Sequence, residues 1–294
     1  MYKDEIAIIG ASSFIGSALS KYLAAKNRKF IQISSRNKNL KGRKTSPIYW
    51  DYSANFPNEL ENASTWVICC FDHNNYLNNL DLIAKLIDHR TNQRIIYLSS
   101  YITIKNNNPV AYRSGGDDYC RVKKSICRML LKSVHSNDLA IFYPGVVLGR
   151  GGRWQAYFES LKKYEAVMVK NLGINTVRTI SINNLVQALS QSIDNFDRDP
   201  HVVLDLVSNQ DTVRSLLLKH APNVQIKSSK TNREFFDSWL KNFVLQTLCS
   251  KYIPDNISVR LFKKLRELNK KSTKIEEIPE NYTIDGPTRV YLEK

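Results

Sequence analysis

The chain has 294 residues, and its 43% hydrophobic and 24% charged residues exclude a disordered or low-complexity protein. No run approaches the roughly 20 apolar residues that a membrane span requires. The net charge of +16 favours an anionic partner, such as a phosphorylated cofactor, a nucleotide-linked substrate, a membrane surface or RNA, although solvated surface lysines account for it equally well.

The N-terminus and the cysteines bear on where the protein works. Residues 1–5 lack the basic flank and apolar run of a signal peptide, so we expect a cytoplasmic protein. The five cysteines are odd in number and form no C-x-x-C pair, and they therefore indicate neither a disulfide framework nor a metal site.

The first predicted element is a strand that ends in a glycine turn. Residues 6–16 read IAIIGASSFIG, and an apolar helix pattern follows. Gly10 allows a tight turn, and Gly16 lets the helix pack closely on the strand. The unpaired N–H groups of the first helical turn would then favour a phosphate. The residues assigned to this phosphate loop are Gly10, Ser12, Ser13, Phe14, Ile15 and Gly16, with Ser13 where the usual fingerprint has its middle glycine; an ordinary strand–helix turn is the alternative.

Strand patterns alternate with helix patterns along the first two thirds of the chain. The predicted strands are Ile6–Gly10, Phe30–Ser34, Trp66–Phe71, Arg94–Ser99, Leu139–Tyr143 and Val202–Val207, and the predicted helices are Gly16–Ala25, Leu77–Ile87, Tyr119–Val134 and Ile182–Ile193. This alternation predicts βαβ units and an α/β fold with a doubly wound, Rossmann-like parallel sheet. Ligands of such sheets bind at the carboxyl ends of the strands.

The end of the second strand bears on the choice of nucleotide. No acidic residue follows it, whereas Arg36 does, with Lys38 close behind. A cation there accommodates a 2′-phosphate, so we expect NADP rather than NAD, although NAD remains open and a surface arginine is the alternative. Asp51, followed by Tyr52, could accept from an adenine amino group or simply cap a turn.

A group of hydroxyls and a lysine follows the strand that begins at Arg94. Ser100 stands at its end, and Tyr119 and Lys123 lie one turn apart on the next predicted helix. The tyrosine can exchange a proton with a carbonyl or alcohol oxygen when a nearby cation lowers its pKa, and the serine can hold that oxygen. A second Tyr-x-x-x-Lys match, Tyr22 to Lys26, has no serine-ended strand before it, and we interpret it as coincidental.

Together these motifs resemble the extended short-chain dehydrogenase/reductases, the NAD(P)-dependent epimerase/dehydratase group. The resemblance covers roughly residues 4–208 and includes residues 142–149 and 178–185. It implies catalytic roles for Ser100, Tyr119 and Lys123, and it adds Phe71, Tyr119, Lys123, Tyr143, Gly145 and Val146 to the cofactor-binding residues. Phe71 stands where that family usually has a small residue, and Tyr143 stands where it usually has arginine.

The resemblance also implies a domain division and a reaction. Residues 1–148, completed by 180–208, would form the nucleotide-binding core, and residues 149–179 and 209–294 a smaller, mostly helical substrate lobe. The expected reaction is hydride transfer at a carbonyl or alcohol of a sugar-like substrate, with or without a linked nucleotide, by a reductase or an epimerase. Because Tyr101 follows Ser100 where the sugar dehydratases carry an acid pair, dehydration is disfavoured. A homodimer through the Tyr119 helix and the helix before it is a further expectation that the resemblance implies.

The second lobe is the predicted source of specificity. Arg150 and Arg153 could clamp a diphosphate, or they could belong to a solvated turn. The basic amphipathic stretches 235–248 and 259–268 would cap the lobe or, alternatively, contact a membrane surface or a partner. A non-catalytic nucleotide sensor, or a basic RNA- or protein-binding module on the same fold, is the competing interpretation, and nucleic acid is the less favoured partner.

Overall fold

The computed structural model describes residues 5–35, 48–51, 55–72, 76–101, 116–162, 166–169, 176–196, 203–206, 209–228 and 275–278. These residues fall into two compact units, one within 1–152 and 179–209 and the other within 153–178 and 210–286. The basic stretches 235–248 and 259–268 lie outside the described residues.

The strands are β1 (Ile6–Ile9), β2 (Phe30–Ser34), β3 (Ile48–Tyr49), β4 (Thr65–Ile68), β5 (Arg94–Leu98), β6 (Leu139–Pro144), β7 (Val146–Leu148), β8 (Ala166–Val169), β9 (Thr176–Ser181), β10 (Val203–Leu206), β11 (Asn209–Thr212), β12 (Gln225–Ser228) and β13 (Ile275–Ile278). The helices are α1 (Phe14–Ala25), α2 (Asn58–Glu61), α3 (Tyr76–Asp88), α4 (Gly116–Ser133), α5 (Arg153–Leu161), α6 (Ile182–Asp194) and α7 (Val213–His220), with a 3-10 turn at Ser136–Asp138.

A parallel sheet of seven strands forms the centre of the first unit. Its order is β10-β6-β5-β4-β1-β2-β3, and every neighbouring pair runs parallel. The register places Ile6 opposite both Phe30 and Thr65, so these strands begin level and their carboxyl ends share one edge. The predicted doubly wound, Rossmann-like α/β fold is therefore confirmed.

Two apolar layers cover the two faces of this sheet. Residues at alternate strand positions, such as Ile9 and Tyr97, pack with α3 and α4, whereas Ile8 and Leu98 pack with α1 and α6. Because side chains alternate across a strand, one continuous apolar run supplies both layers. Adjacent residues of β5 thus belong to opposite sides of the sheet.

Several predicted strands end earlier than their apolar patterns suggested. The first ends at Ile9 because Gly10 adopts φ +85°, a left-handed conformation that cannot continue a strand. The strand predicted to reach Phe71 ends at Ile68. The N–H of Cys69 still donates to the carbonyl oxygen of Ile9, but Asp72 is hydrogen-bonded to Asn79 of α3 instead of to a strand. Phe71 therefore lies in a loop, not in a strand.

Strands as well as helices build the described parts of the second unit. Helices α5 and α7 pack together, and β8 pairs in parallel with both β12 and β13. Within the described ranges, every helix is too short or too polar to span a membrane, and no group of three or more His, Cys, Asp and Glu residues is placed to hold a metal ion.

Candidate functional site

The glycine turn after β1 is closely packed. A Cβ atom built on Gly10 would lie 2.5 Å from the Cβ of Cys70, and one built on Gly16 would lie 2.3 Å from the carbonyl oxygen of Gly10. Only glycine fits either position, because both distances are far inside van der Waals contact. The turn thereby brings the start of α1 directly against the carboxyl ends of β1 and β4.

Ser13 caps α1 and ties it to β4. The N–H of Gly16 donates to Ser13 Oγ at 3.1 Å, and the Ser13 hydroxyl donates to the carbonyl oxygen of Cys69 at 3.0 Å. The serine in place of the middle glycine is thus turned towards the protein and serves as an N-cap. Among the described residues, the N–H groups of Phe14 and Ile15 in the first turn have no hydrogen-bond partner.

The end of β2 lies against the same turn. Ser12 Oγ and Ser34 Oγ are 2.7 Å apart, and the N–H groups of Gly10 and Ala11 both donate to the carbonyl oxygen of Ile33. The phosphate loop is therefore joined to β2 as well as to β4. Asp51 is exposed two residues beyond the short strand β3, whereas Arg36 and Tyr52 lie outside the described residues.

The loop between β7 and α5 also reaches the phosphate loop. A Cβ atom on Gly152 would lie 2.8 Å from two ring atoms of Phe14, so the Phe14 ring packs on the backbone of this loop. Arg150, two residues earlier, is exposed next to that contact. The predicted residue Arg150 is thus near the first turn of α1, while the side chain of Arg153 lies outside the described set.

Lys123 is buried beneath the carboxyl edge. Only 4% of its surface is exposed, and its Nζ donates to the carbonyl oxygen of Leu98 at 2.6 Å. The same Nζ lies 4.7 Å from the ring centroid of Phe71, 4.8 Å from that of Tyr97 and 6.0 Å from that of Tyr119. Burial lowers the pKa of Lys123 from 10.5 to about 8, and the neighbouring thiols oppose that decrease.

Tyr119 and Phe71 lie together above Lys123. Their ring centroids are 4.8 Å apart in an edge-to-face arrangement, and both residues are half-buried. The spacing of four therefore does bring Tyr119 and Lys123 to one face of α4, as the sequence predicted. Ser100 is half-buried two residues beyond the end of β5.

Cys127 is one of two buried groups near this site that were not anticipated from the sequence, and it contacts the predicted residue Tyr143. The Tyr143 hydroxyl donates to Cys127 Sγ at 3.6 Å, and the Cys127 thiol donates to Ser99 Oγ at 3.4 Å. Burial, followed by the proximity of Cys127, raises the pKa of Tyr143. Tyr143 is thus linked to the end of β5 through the sulfur atom of Cys127. The predicted residues Gly145 and Val146 are half-buried at the junction of β6 and β7.

Tyr97 is the second unanticipated group. It is 1% exposed, and its hydroxyl has no hydrogen-bond partner among the described residues. Burial is the main cause of its strongly raised pKa. From the sequence, Tyr97 looked like an ordinary core residue because it lies in a continuous apolar run. What distinguishes it is that it lies on the side of β5 that faces α4.

This edge of the sheet fits the phosphates of a dinucleotide. The two partnerless N–H groups lie at the N-terminus of a 12-residue helix, where the helix dipole favours an anion. The lack of side chains at Gly10 and Gly16 lets the turn pack closely against Cys70 and against the start of α1. At the other end, Ser100 and Tyr119 supply hydroxyls that can bind or exchange protons with a substrate oxygen.

Comparisons with known proteins bear on the fold. No protein family profile matches the chain, and no curated protein sequence does. Among solved structures, MoeE5 in complex with UDP-glucose and NAD matches at TM-score 0.59 and 19% identity, covering 77% of this chain and 86% of that one. TunA, an NAD-dependent NDP-hexosamine 5,6-dehydratase, matches at TM-score 0.60 and 15% identity, with coverages of 77% and 84%. The UDP-glucose 4-epimerase of Thermus thermophilus, in complex with NAD, matches at TM-score 0.57 and 14% identity, with coverages of 76% and 85%. This chain therefore has the fold of these three proteins over about three quarters of its length.

Proposed function

We propose that the protein is an NAD(P)-dependent oxidoreductase that acts on a carbonyl or alcohol of a sugar-like, nucleotide-linked substrate. The observation that carries the proposal is the pair of partnerless N–H groups of Phe14 and Ile15, on the sheet edge where Ser100 and Tyr119 also lie. One end of this edge suits a diphosphate, and the other holds groups suited to proton transfer.

Each residue of the site has a distinct role in this proposal. A bound nicotinamide supplies or accepts the hydride. The Ser100 hydroxyl donates to the substrate oxygen and stabilises the charge that develops on it. The Tyr119 phenol gives its proton to that oxygen in reduction and takes it back in oxidation, and the ammonium of Lys123 favours the phenolate.

The choice of nucleotide and substrate rests on basic residues. Arg36 and Lys38 follow β2 where no acid is present, and we propose NADP as the preferred form for that reason. Arg150 beside the Phe14 contact would bind the diphosphate of a nucleotide-linked sugar. MoeE5, a protein of the same fold, is known in complex with UDP-glucose, which supports this substrate class. We propose reduction or epimerisation rather than dehydration, since Tyr101 stands where an acid would be needed.

A non-catalytic nucleotide sensor is the second candidate, and one contact favours it. Lys123 Nζ is engaged with the carbonyl oxygen of Leu98 and is almost completely buried. A sensor would bind the nucleotide through the loop around Phe14 without using Tyr119 for proton transfer. The two candidates therefore differ in whether Tyr119 is required for function.

Substitution of Tyr119 by phenylalanine separates the candidates. We expect Tyr119→Phe to lower turnover of nucleotide-sugars or small ketones by about 100-fold or more, because general acid–base catalysis contributes about 10²–10⁴-fold. Binding of NADPH should be unchanged. Tyr22→Phe is the matched control, since Tyr22 and Lys26 repeat the same spacing at the end of α1, and it should leave both quantities unchanged.

Two outcomes would count against the enzyme. Full turnover in Tyr119→Phe would remove the proposed proton-transfer role. Tight nucleotide binding without turnover of any tested sugar or ketone by the unmodified protein would favour the sensor.

A further inference from the structure

The surroundings of Lys123 form an unusual enclosure for a charged group. Phe71, Tyr97 and Tyr119 place three aromatic rings within 4.7–6.0 Å of its Nζ, and the carbonyl oxygen of Leu98 accepts its hydrogen bond. Aromatic faces attract an ammonium group through their quadrupole, most strongly where water is excluded. At 4% exposure, Lys123 meets that condition.

Thiols rather than carboxylates are the titratable groups that favour the charged lysine. They are Cys70, Cys127 and Cys69, and a thiol attracts a cation only after it has lost its proton. Burial raises the pKa of the Cys69 thiol, which therefore stays neutral at physiological pH. The aromatic rings and the Leu98 carbonyl must then provide much of the stabilisation that hydration would otherwise give to the charged ammonium.

Phe71 is fixed in this enclosure by the residue that follows it. The N–H of Asp72 donates to Asn79 Oδ1 at 2.7 Å, and Asn79 Nδ2 donates to the Asp72 carbonyl oxygen at 2.9 Å. Asn78 Nδ2 donates to Asp72 Oδ2 at 3.0 Å. These three bonds fasten the loop after β4 to α3, so the position of the Phe71 ring is set by the fold.

We propose that Phe71, Tyr97 and Tyr119 form an aromatic cage that keeps Lys123 charged and in place beneath the sheet edge, with Phe71 as a positioning residue. Tyr97 closes the cage from the strand side, where it is fully buried, and Phe71 and Tyr119 close it from the half-exposed side. The importance of the cage for catalysis rests on the proposed function, but its effect on Lys123 does not.

The cage can be tested without nucleotide or substrate. Lysines labelled with ¹³C at Cε are titrated by NMR in the full-length protein, and Lys123→Met identifies the Lys123 signal by its loss. Phe71→Leu removes the ring but keeps an apolar side chain, whereas Phe71→Tyr keeps a ring. A far-ultraviolet circular dichroism spectrum that matches that of the unmodified protein shows that each variant is folded.

The proposal predicts opposite behaviour for the two variants. The pKa of Lys123 should fall by about one unit in Phe71→Leu, as expected for the loss of one buried cation–π contact, and should be unchanged in Phe71→Tyr. An unchanged pKa in Phe71→Leu, or an equal fall in both variants, would overturn the cage. Because no nucleotide is present, failure of the proposed oxidoreductase activity would not alter this result.

Discussion

Replacement of Lys123 by methionine should change how the stability of the protein depends on pH. Burial lowers the pKa of Lys123 from 10.5 to about 8, and each pKa unit corresponds to about 1.4 kcal/mol. The side chain is only 4% exposed, so solvent does little to screen this effect. Below pH 8 the folded protein bears the full cost of the buried ammonium, about 3 kcal/mol relative to the neutral amine.

The sign follows from proton binding. Between pH 8 and 10.5 the unfolded chain keeps the lysine proton while the folded protein loses it, so the contribution of Lys123 to the free energy of unfolding rises with pH. Tyr97 and Cys69 have raised pKa values, so their contributions to the free energy of unfolding fall as the pH rises through the alkaline range. Both groups are present in the variant as well, and the informative quantity is therefore the difference between the two proteins.

Urea unfolding at pH 7.5, 8.5, 9.5 and 10.5 measures that difference. The free energy of unfolding of the unmodified protein, minus that of Lys123→Met, should increase by about 3 kcal/mol across the series. A difference that stays constant would show that Lys123 titrates normally in the folded state. Such a result would refute the buried position of its ammonium.

Three further predictions concern stability and are measured by urea unfolding at pH 7. Ser13→Ala should lose about 2 kcal/mol, since it removes both the cap of α1 and a bond to β4, and Ser13→Gly should lose less; equal losses would contradict the capping role. Gly16→Ala should lose about 1–3 kcal/mol because its Cβ would clash with backbone, and an unchanged midpoint would refute that close approach. Arg90→Ala should cost about 2 kcal/mol, because Arg90 donates to both Asp138 and a backbone carbonyl and its side chain is only 12% exposed. Arg28, whose side chain is more exposed, should cost less than about 1 kcal/mol when it is replaced by alanine. A larger loss in Arg28→Ala than in Arg90→Ala would contradict this assignment.

The fold was predictable because its signals are local. Each buried strand of the central sheet is a short apolar run, and the turn after β1 needs glycine at positions 10 and 16 for reasons that hold in any such turn. The relation between Tyr119 and Lys123 was also local, since a spacing of four fixes the face of a helix. The strands β8, β12 and β13 are each four residues long, and their polar surroundings gave no comparable signal.

The direction in which the functional side chains point was not predictable. Sequence spacing placed Lys123 on a helix face, but its contact with the carbonyl oxygen of Leu98 depends on the packing of α4 against β5. Tyr97 looked like one of four apolar residues in β5, and its role depends on which side of the sheet faces α4. Ser13 was expected near the phosphates, yet its hydroxyl is used by Gly16 and Cys69 within the protein.

Titration of the purified protein with NADH and with NADPH, followed by nucleotide fluorescence, tests the central claim most directly. We predict saturable binding of both in the micromolar range, with NADPH the tighter. Arg36→Ala should weaken NADPH more than NADH, and Lys21→Ala, which removes an exposed charge from α1, should change neither. Absence of binding by either nucleotide would contradict the assignment of this sheet edge to a dinucleotide.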